Sequence, residues 1–176
     1  GPIIFLSEDK EPDFINDVTH IKTGEGEWGE RLLRALKQID SELVFYMQED
    51  FWCVNDYELT DQLLEMFEKF GMDQLHIKEN TPLISTKKIT GNLYRFEQKS
   101  EYTQNHQFGL WRKDKLIENV LPNENPWENE VDGSKRLNQK PHNIYLLDFY
   151  WYVSVCRKGQ LMERGEKIIK KYDISF

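Results

Sequence analysis

Three polar residues, Gln48-Glu49-Asp50, follow directly on the apolar run Leu43-Val44-Phe45-Tyr46-Met47. A short continuous run with β-branched and aromatic residues predicts a strand buried on both faces. Acids at the carboxyl end of such a strand stand where an open α/β sheet takes its ligand. A carboxylate such as Asp50 is a hard oxygen donor, suited to Mg2+ or Mn2+ shared with phosphate oxygens. A second acidic cluster lies in Pro126-Trp127-Glu128-Asn129-Glu130. A carboxylate there, separate from the metal, could take a proton from an attacking hydroxyl. Glu128 and Glu130 are the candidates; two residues apart on a helix they point differently, so one of them faces a site. With 31 Asp and Glu in the chain, chance pairs of acids are expected. The order of features along the chain therefore matters more than the acids alone.

Two further polar groups sit at element ends. Ser7-Glu8-Asp9-Lys10 follows the apolar Ile3-Ile4-Phe5-Leu6, and reads either as a solvated turn or as a base or ribose contact. Arg31 lies near the start of a predicted helix, either as surface charge or reaching toward a diphosphate. Thr23-Gly24-Glu25-Gly26-Glu27 carries two glycines but lacks the third glycine and the spacing of a phosphate-binding fingerprint.

The elements that must position these groups fit one domain spanning 1–176, with Gly1-Pro2 read as a scar of tag removal. A net charge of −8 argues against a nucleic-acid binder, which wants a basic face, and leaves a nucleotide ligand open. Cys53 and Cys156 are far apart and without neighbours at metal-ligand spacing, so zinc is not expected, and Cys53 reads as a small buried hydrophobe. No run reaches the roughly 18 apolar residues of a membrane span. With no signal peptide visible, the expectation is a cytoplasmic protein or a soluble part of a larger chain.

Along the chain, strands are predicted at Ile3–Leu6, Val18–Ile21, Leu43–Met47, Gln74–Lys78, Asn92–Phe96 and Gln107–Trp111, with one or two over Ile144–Val155. Helical spacing of Leu32, Leu36 and Ile39 predicts a helix over Trp28–Ile39. A capping-box pattern at Asn55 and Glu58 opens a second, with Leu59, Leu63, Met66, Phe67 and Phe70 as its stripe and Gly71 as its stop. Asp114 caps a short helix carrying Leu116, Ile117 and Val120; Glu163–Tyr172 closes the chain as a helix. Glu79–Gly91 reads as irregular and Lys99–Asn105 as a polar loop; His76, alternating with apolar neighbours, reads as a satisfied sheet residue. Lys135-Arg136 adds local positive charge after the second acidic cluster.

Taken in order, Trp28-Gly29-Glu30-Arg31-Leu32-Leu33-Arg34-Ala35-Leu36, then Gln48-Glu49-Asp50-Phe51, then Asn125-Pro126-Trp127-Glu128-Asn129-Glu130 with Gly133-Ser134, the chain resembles small glycosyltransferases of the GT-A fold. Those relatives carry an acidic D-D-F after a central strand and a later P-W-E-x-E followed by Gly-Ser. The resemblance runs from Ile3 to about Lys158. It implies an α/β fold, a Rossmann-like mixed sheet flanked by helices. It implies a nucleotide-sugar donor, UDP-linked, with Mn2+ or Mg2+, and inverting transfer of the sugar to a hydroxyl of a glycan or glycoprotein, such as a surface polysaccharide. By the match, Asp50 takes the last place of the metal-binding D-x-D signature, with Glu49 beside it and Gln48 standing where the first acid is usual. Asp9 matches a base or ribose contact, Arg31 the place facing the diphosphate, and Glu128 and Glu130 the segment holding the catalytic base. Ile3 matches the second strand of such enzymes, so their first strand-helix unit is not represented here.

Two other classes remain open. Five tryptophans and eight tyrosines could stack on sugar rings in a non-catalytic carbohydrate-binding module. Asp50 with Glu128 or Glu130 could form the carboxylate pair of a glycoside hydrolase. A transferase is stabilised by UDP with Mn2+, a binding module by free glycan without metal, and a hydrolase releases sugar with no nucleotide present.

Overall fold

Alternation of side chains along the strands sorts the core of this protein onto two faces of one sheet. The computed structural model describes residues 2–10, 18–54, 61–78, 85–97, 100, 102–157 and 159–173. Its elements in chain order are β1 (Ile3–Ser7), β2 (Val18–Lys22), α1 (Trp28–Leu36), β3 (Leu43–Tyr46), β4 (Phe51–Cys53), α2 (Asp61–Lys69) and β5 (Gln74–Lys78). They continue as β6 (Thr86–Thr90), β7 (Leu93–Phe96), β8 (Gly109–Arg112), α3 (Lys113–Asn119) and α4 (Pro126–Glu128). A π-helical turn over Asn129–Gly133 leads into α5 (Ser134–Leu137), followed by β9 (Ile144–Asp148), β10 (Tyr152–Ser154), β11 (Cys156–Arg157), β12 (Gln160–Leu161) and α6 (Glu163–Tyr172).

Six strands form a mixed sheet in the order β3-β8-β5-β9-β7-β6. β5 and β9 are parallel, and β3 and β5 are both antiparallel to β8, so β3, β5 and β9 run in one direction. Their carboxyl ends share one edge of the sheet. β1 and β2 form a separate parallel pair, and β4 with β10 a short antiparallel one.

On one face Leu75, Ile77, Leu93, Leu110 and Tyr145 pack with Leu63 and Phe67 of α2, joined by Leu43 and Phe45. On the other, Trp111 packs with Leu32 and Leu36 of α1 and Leu116 of α3, joined by Val44 and Tyr46, while Phe96, Ile144 and Leu146 pack near Leu137. β3 therefore sends alternate residues into both clusters, which accounts for its unbroken apolar run. The expected depth is not reached. Among the described residues β3 is an outer strand of the six, paired only to β8, and all four of its residues are half-buried. The centre belongs to β5, whose Gln74, Leu75, His76 and Ile77 are all buried between β8 and β9.

Other expectations shift for local reasons. β6 lies inside the stretch read as irregular; it is an outer, mostly exposed strand bearing Lys87 and Lys88, so no burial pattern marks it in the sequence. Thr103–His106 has no regular structure, as expected of a polar loop, yet all four residues are buried. α3 starts one residue before Asp114, after Arg112, and Asp114 instead accepts the N–H of Lys115 at 2.9 Å. Cys53 is exposed rather than buried, because it ends the two-stranded β4–β10 ribbon outside the main sheet. The Asn55–Glu58 capping box lies outside the described residues; α2 is described from Asp61, and Gly71 ends it at a φ of +57°.

Candidate functional site

The site is built where α1, the loop before β8 and the Pro126–Gly133 turn meet the carboxyl ends of β3 and β5. α1 has no side-chain cap. Its first N–H groups are instead satisfied by backbone: Gly29 donates to the Glu124 carbonyl and Glu30 to the Pro122 carbonyl, both at 3.0 Å. Any Cβ at residue 29 would overlap the Leu121 carbonyl oxygen, so glycine permits this approach. Trp28, the first residue of α1, thereby lies edge-on against His106, with ring centroids 4.6 Å apart, and Tyr46 meets His106 from β3 at 5.6 Å.

Pro126 opens α4 in the position where its missing N–H costs nothing. Asn125 caps it reciprocally: its Oδ1 accepts the Glu128 N–H at 2.9 Å, and Glu128 Oε2 accepts the Asn125 N–H at 2.9 Å. Asn129, fully buried, ties the next turn down. Its amide donates to the Asn119 carbonyl at 2.9 Å and to Glu124 Oε2 at 2.7 Å, while its Oδ1 accepts from Gln104 at 3.2 Å and lies 2.9 Å from His106 Nε2. Arg136 clamps Glu124 through two hydrogen bonds of 2.6 and 2.7 Å. This pairing holds the Glu124 carboxyl below the usual range despite its burial. The positive charge expected from Lys135-Arg136 is engaged in these ion pairs, Lys135 with Asp132 at 2.6 Å.

The π-helical turn then points Glu130 inward. The His106 N–H donates to Glu130 Oε1 at 2.9 Å. Burial first, and then the charge of Asp50, push the Glu130 carboxyl above its ordinary range; the His106 N–H and the Lys78 ammonium pull it back. Lys78 ends β5 half-buried, and burial lowers its proton affinity. Tyr46 is pushed up to about 12, chiefly by burial, and feels both Glu49 and Glu130. Asp50 is raised by burial and then by the neighbouring charge of Glu49. Its Oδ1 is buried with no hydrogen-bond partner, while its backbone carbonyl accepts the Val155 N–H at 2.8 Å.

The structure thus brings Asp50, Glu49 and Glu130 into one electrostatic neighbourhood. Glu128 is exposed and engaged in the α4 cap. Arg31 pairs with Glu8 at 3.2 Å and keeps a buried Nε without a partner. Asp9 is exposed in the bend after β1. Arg34 fills the Gly24–Gly26 loop, donating to the Thr23 and Glu25 carbonyls at 2.7 and 2.8 Å, so that loop cradles a side chain of its own chain. Lys78, His106 and Tyr46 are the members that sequence reading did not single out. Lys78 had the same signal as Asp50, a charge at a strand's carboxyl end. His106 had none, since it sits in a polar stretch whose burial is tertiary.

Among the described residues no three carboxylate, histidine or cysteine side chains converge as a cation cage. The unpartnered Asp50 Oδ1 is the atom suited to a hard divalent ion that takes its other ligands from phosphate and water. One such oxygen is compatible with a divalent ion whose remaining ligands come from outside the chain.

No family model matches the chain, and no curated protein does. Solved structures share its fold. S. aureus TarS 1–349 in complex with UDP-GlcNAc superimposes with a TM-score of 0.59 at 16% identity, over 91% of this chain and 51% of that one. TarS in complex with UDP gives 0.57 at 14%, over 86% and 50%. A UDP-glucose pyrophosphorylase complexed with UDP-glucose gives 0.54 at 12%, over 76% and 58%. The chain therefore spans between half and three-fifths of the length of these neighbours, and what they share with it is the mixed α/β sheet flanked by helices.

Proposed function

We propose that this chain carries the donor-side machinery of a glycosyltransferase that moves a sugar from a nucleotide-sugar, UDP-linked, to a hydroxyl of a glycan or glycoprotein acceptor with inversion. The observation that supports it most is an unpartnered buried Asp50 oxygen, just beyond the carboxyl end of β3, whose charge is felt by a half-buried Glu130 oriented by the His106 backbone N–H. Ligands bind at that edge of open α/β sheets. The fold neighbours include TarS with UDP-GlcNAc and a pyrophosphorylase with UDP-glucose, which makes such a donor the natural class to test.

In this reading Glu130 is the base. Its carboxylate takes the acceptor proton as the acceptor oxygen bonds the anomeric carbon and the carbon–oxygen bond to the diphosphate breaks, the bonding pair leaving with phosphate. The His106 N–H fixes the carboxylate's direction, and burial raises its basicity. Asp50, with Glu49 beside it, would hold Mn2+ or Mg2+, whose chemistry when bound is to offset charge on a departing diphosphate. Arg31 and Asp9, at the carboxyl end of β1, are the donor-contact candidates on that side.

UDP with Mn2+ should raise the melting temperature, since ligand at 100 times its Kd adds about 2.7 kcal/mol. Asp50→Ala should abolish the rise. Glu130→Gln should keep it while turnover falls about 10²–10⁴-fold, the usual size of a general-base contribution. Glu128→Gln should leave turnover near wild type. If UDP and Mn2+ have no effect on the melting of the wild-type chain, the transferase reading is wrong.

A further inference from the structure

Trp127 is 73% exposed and Val131, four residues on, 46% exposed. The other tryptophans are partly or fully covered: Trp111 and Trp151 are buried, Trp28 packs on His106 and Trp52 is half-buried. A bare indole is costly to leave in water, since burying a large apolar side chain stabilises by about 1.5–3 kcal/mol. Trp127 is not floppy. The Asn125–Glu128 capping box fixes the turn it sits on, and the buried Asn129 amide anchors the next residue pair. Counting about 100° per residue through α4 and less through the wider π turn puts Trp127 and Val131 on one line, opposite Asn129. Glu130 lies on the shoulder between that line and the buried side.

We propose that Trp127 and Val131 form a stacking platform for a pyranose ring of the acceptor, setting one of its hydroxyls beside Glu130. The assignment of that sugar as acceptor rests on the transferase reading; the platform itself does not. One face of a pyranose is a sheet of C–H groups, which suits the negative face of an indole, while its rim of hydroxyls suits acids. Glu128, Glu130 and Asp132 flank these two residues along the same turn, and the nearby Lys135 is neutralised by its pair with Asp132. That charge disfavours a nucleotide, a phosphorylated ligand or an anionic membrane surface and favours a neutral polyol. Two apolar side chains are also far short of the roughly 800 Å2 per partner that a stable protein interface covers. The π turn that sets Glu130 inward and Val131 outward is what places acid and platform side by side.

The test uses the chain labelled with 15N at its indoles, with the Trp127 signal assigned from Trp127→Phe. Methyl β-glucopyranoside and methyl N-acetyl-β-glucosaminide are titrated in, with glycerol and inorganic phosphate as controls. A saturable shift of the Trp127 indole by a glycoside, with Trp111 unmoved and both controls silent, is the expected result. With acceptor glycan in a transfer assay, Trp127→Ala should raise KM about tenfold, the factor that about 1.4 kcal/mol of lost contact gives, with the UDP–Mn2+ melting shift unchanged. Trp127→Phe should restore most of it. A UDP–Mn2+ shift with a Trp127 indole indifferent to both glycosides overturns the platform. Glycoside shifts at Trp127 with no response to UDP–Mn2+ uphold the platform as a sugar site while removing the transferase reading.

Discussion

Glu130 accepts the His106 backbone N–H and feels Lys78 and Asp50, whose opposite charges pull its proton affinity down and up. Removing the lysine leaves the His106 backbone N–H alone to oppose burial and Asp50. Lys78→Met should therefore move the acid limb of the pH profile of kcat/KM to higher pH, and Lys78→Arg should keep it near wild type. A merely structural lysine would change stability and leave the limb where it was. The same reasoning separates the two glutamates of the Pro126–Glu130 segment. Glu128 is tied to the Asn125 N–H, and its loss weakens the reciprocal arm of a capping box without moving that limb.

At the scale of elements, the site depends on how α1 starts. Its first two free N–H groups are answered by the Glu124 and Pro122 carbonyls, which only a residue without Cβ at position 29 allows. Gly29→Ala should push α1 and the 121–124 loop apart and lower stability by about 1–3 kcal/mol or more, the usual penalty of overpacking. The effect is read as a drop in the denaturation midpoint with an unchanged slope. Because Trp28 and Glu124 both hang on this contact, the variant should also loosen the His106–Glu130 hydrogen bond and lose turnover. α4 and the π turn are a second such device. Four helical residues of normal pitch would carry Glu130 and Val131 differently; the extra residue of the π turn gives Asn129 to the interior and leaves Glu130 at the boundary.

For the molecule as a whole, the buried histidines set the response to acid. Burial holds His76 down to about 3 and His106 to about 4, against about 6.5 in an unfolded chain. The unfolded state therefore binds more protons in that window. Their contribution is fully present above about pH 6.5 and is lost as pH drops toward 4, by up to about 1.4 kcal/mol per pH unit for each histidine. The raised Asp50 and Glu130 work the other way, since their folded forms hold protons more readily, and offset part of the loss. Melting temperature should fall between pH 6.5 and 4.5. His76→Gln, which keeps a donor for the Thr103 carbonyl that His76 Nε2 meets at 3.0 Å, should flatten that slope.

The chain order alone determined much of this. Apolar periodicity located α1, α2 and β5, and the switch from Tyr46 to Asp50 marked where β3 stops, because local spacing and polarity are properties of neighbours in sequence. Pro126 is a residue type that can open a helical turn, and it does so at the first position of α4. What the sequence could not decide is which strand lies at the centre and which acid turns inward. By sequence β3 is the more apolar of the two, yet β5, with Gln74 and His76 in it, lies inside; pairing to β8 alone, or to both β8 and β9, is what separates the outer strand from the inner one. Glu128 and Glu130 are alike as residues. Asn129, held by the nearby Glu124 and Asn119 and by Gln104 and His106 from the loop before β8, fixes the rotation of that turn, so hydrogen bonds from outside the segment, added to its own spacing, choose the glutamate that turns inward.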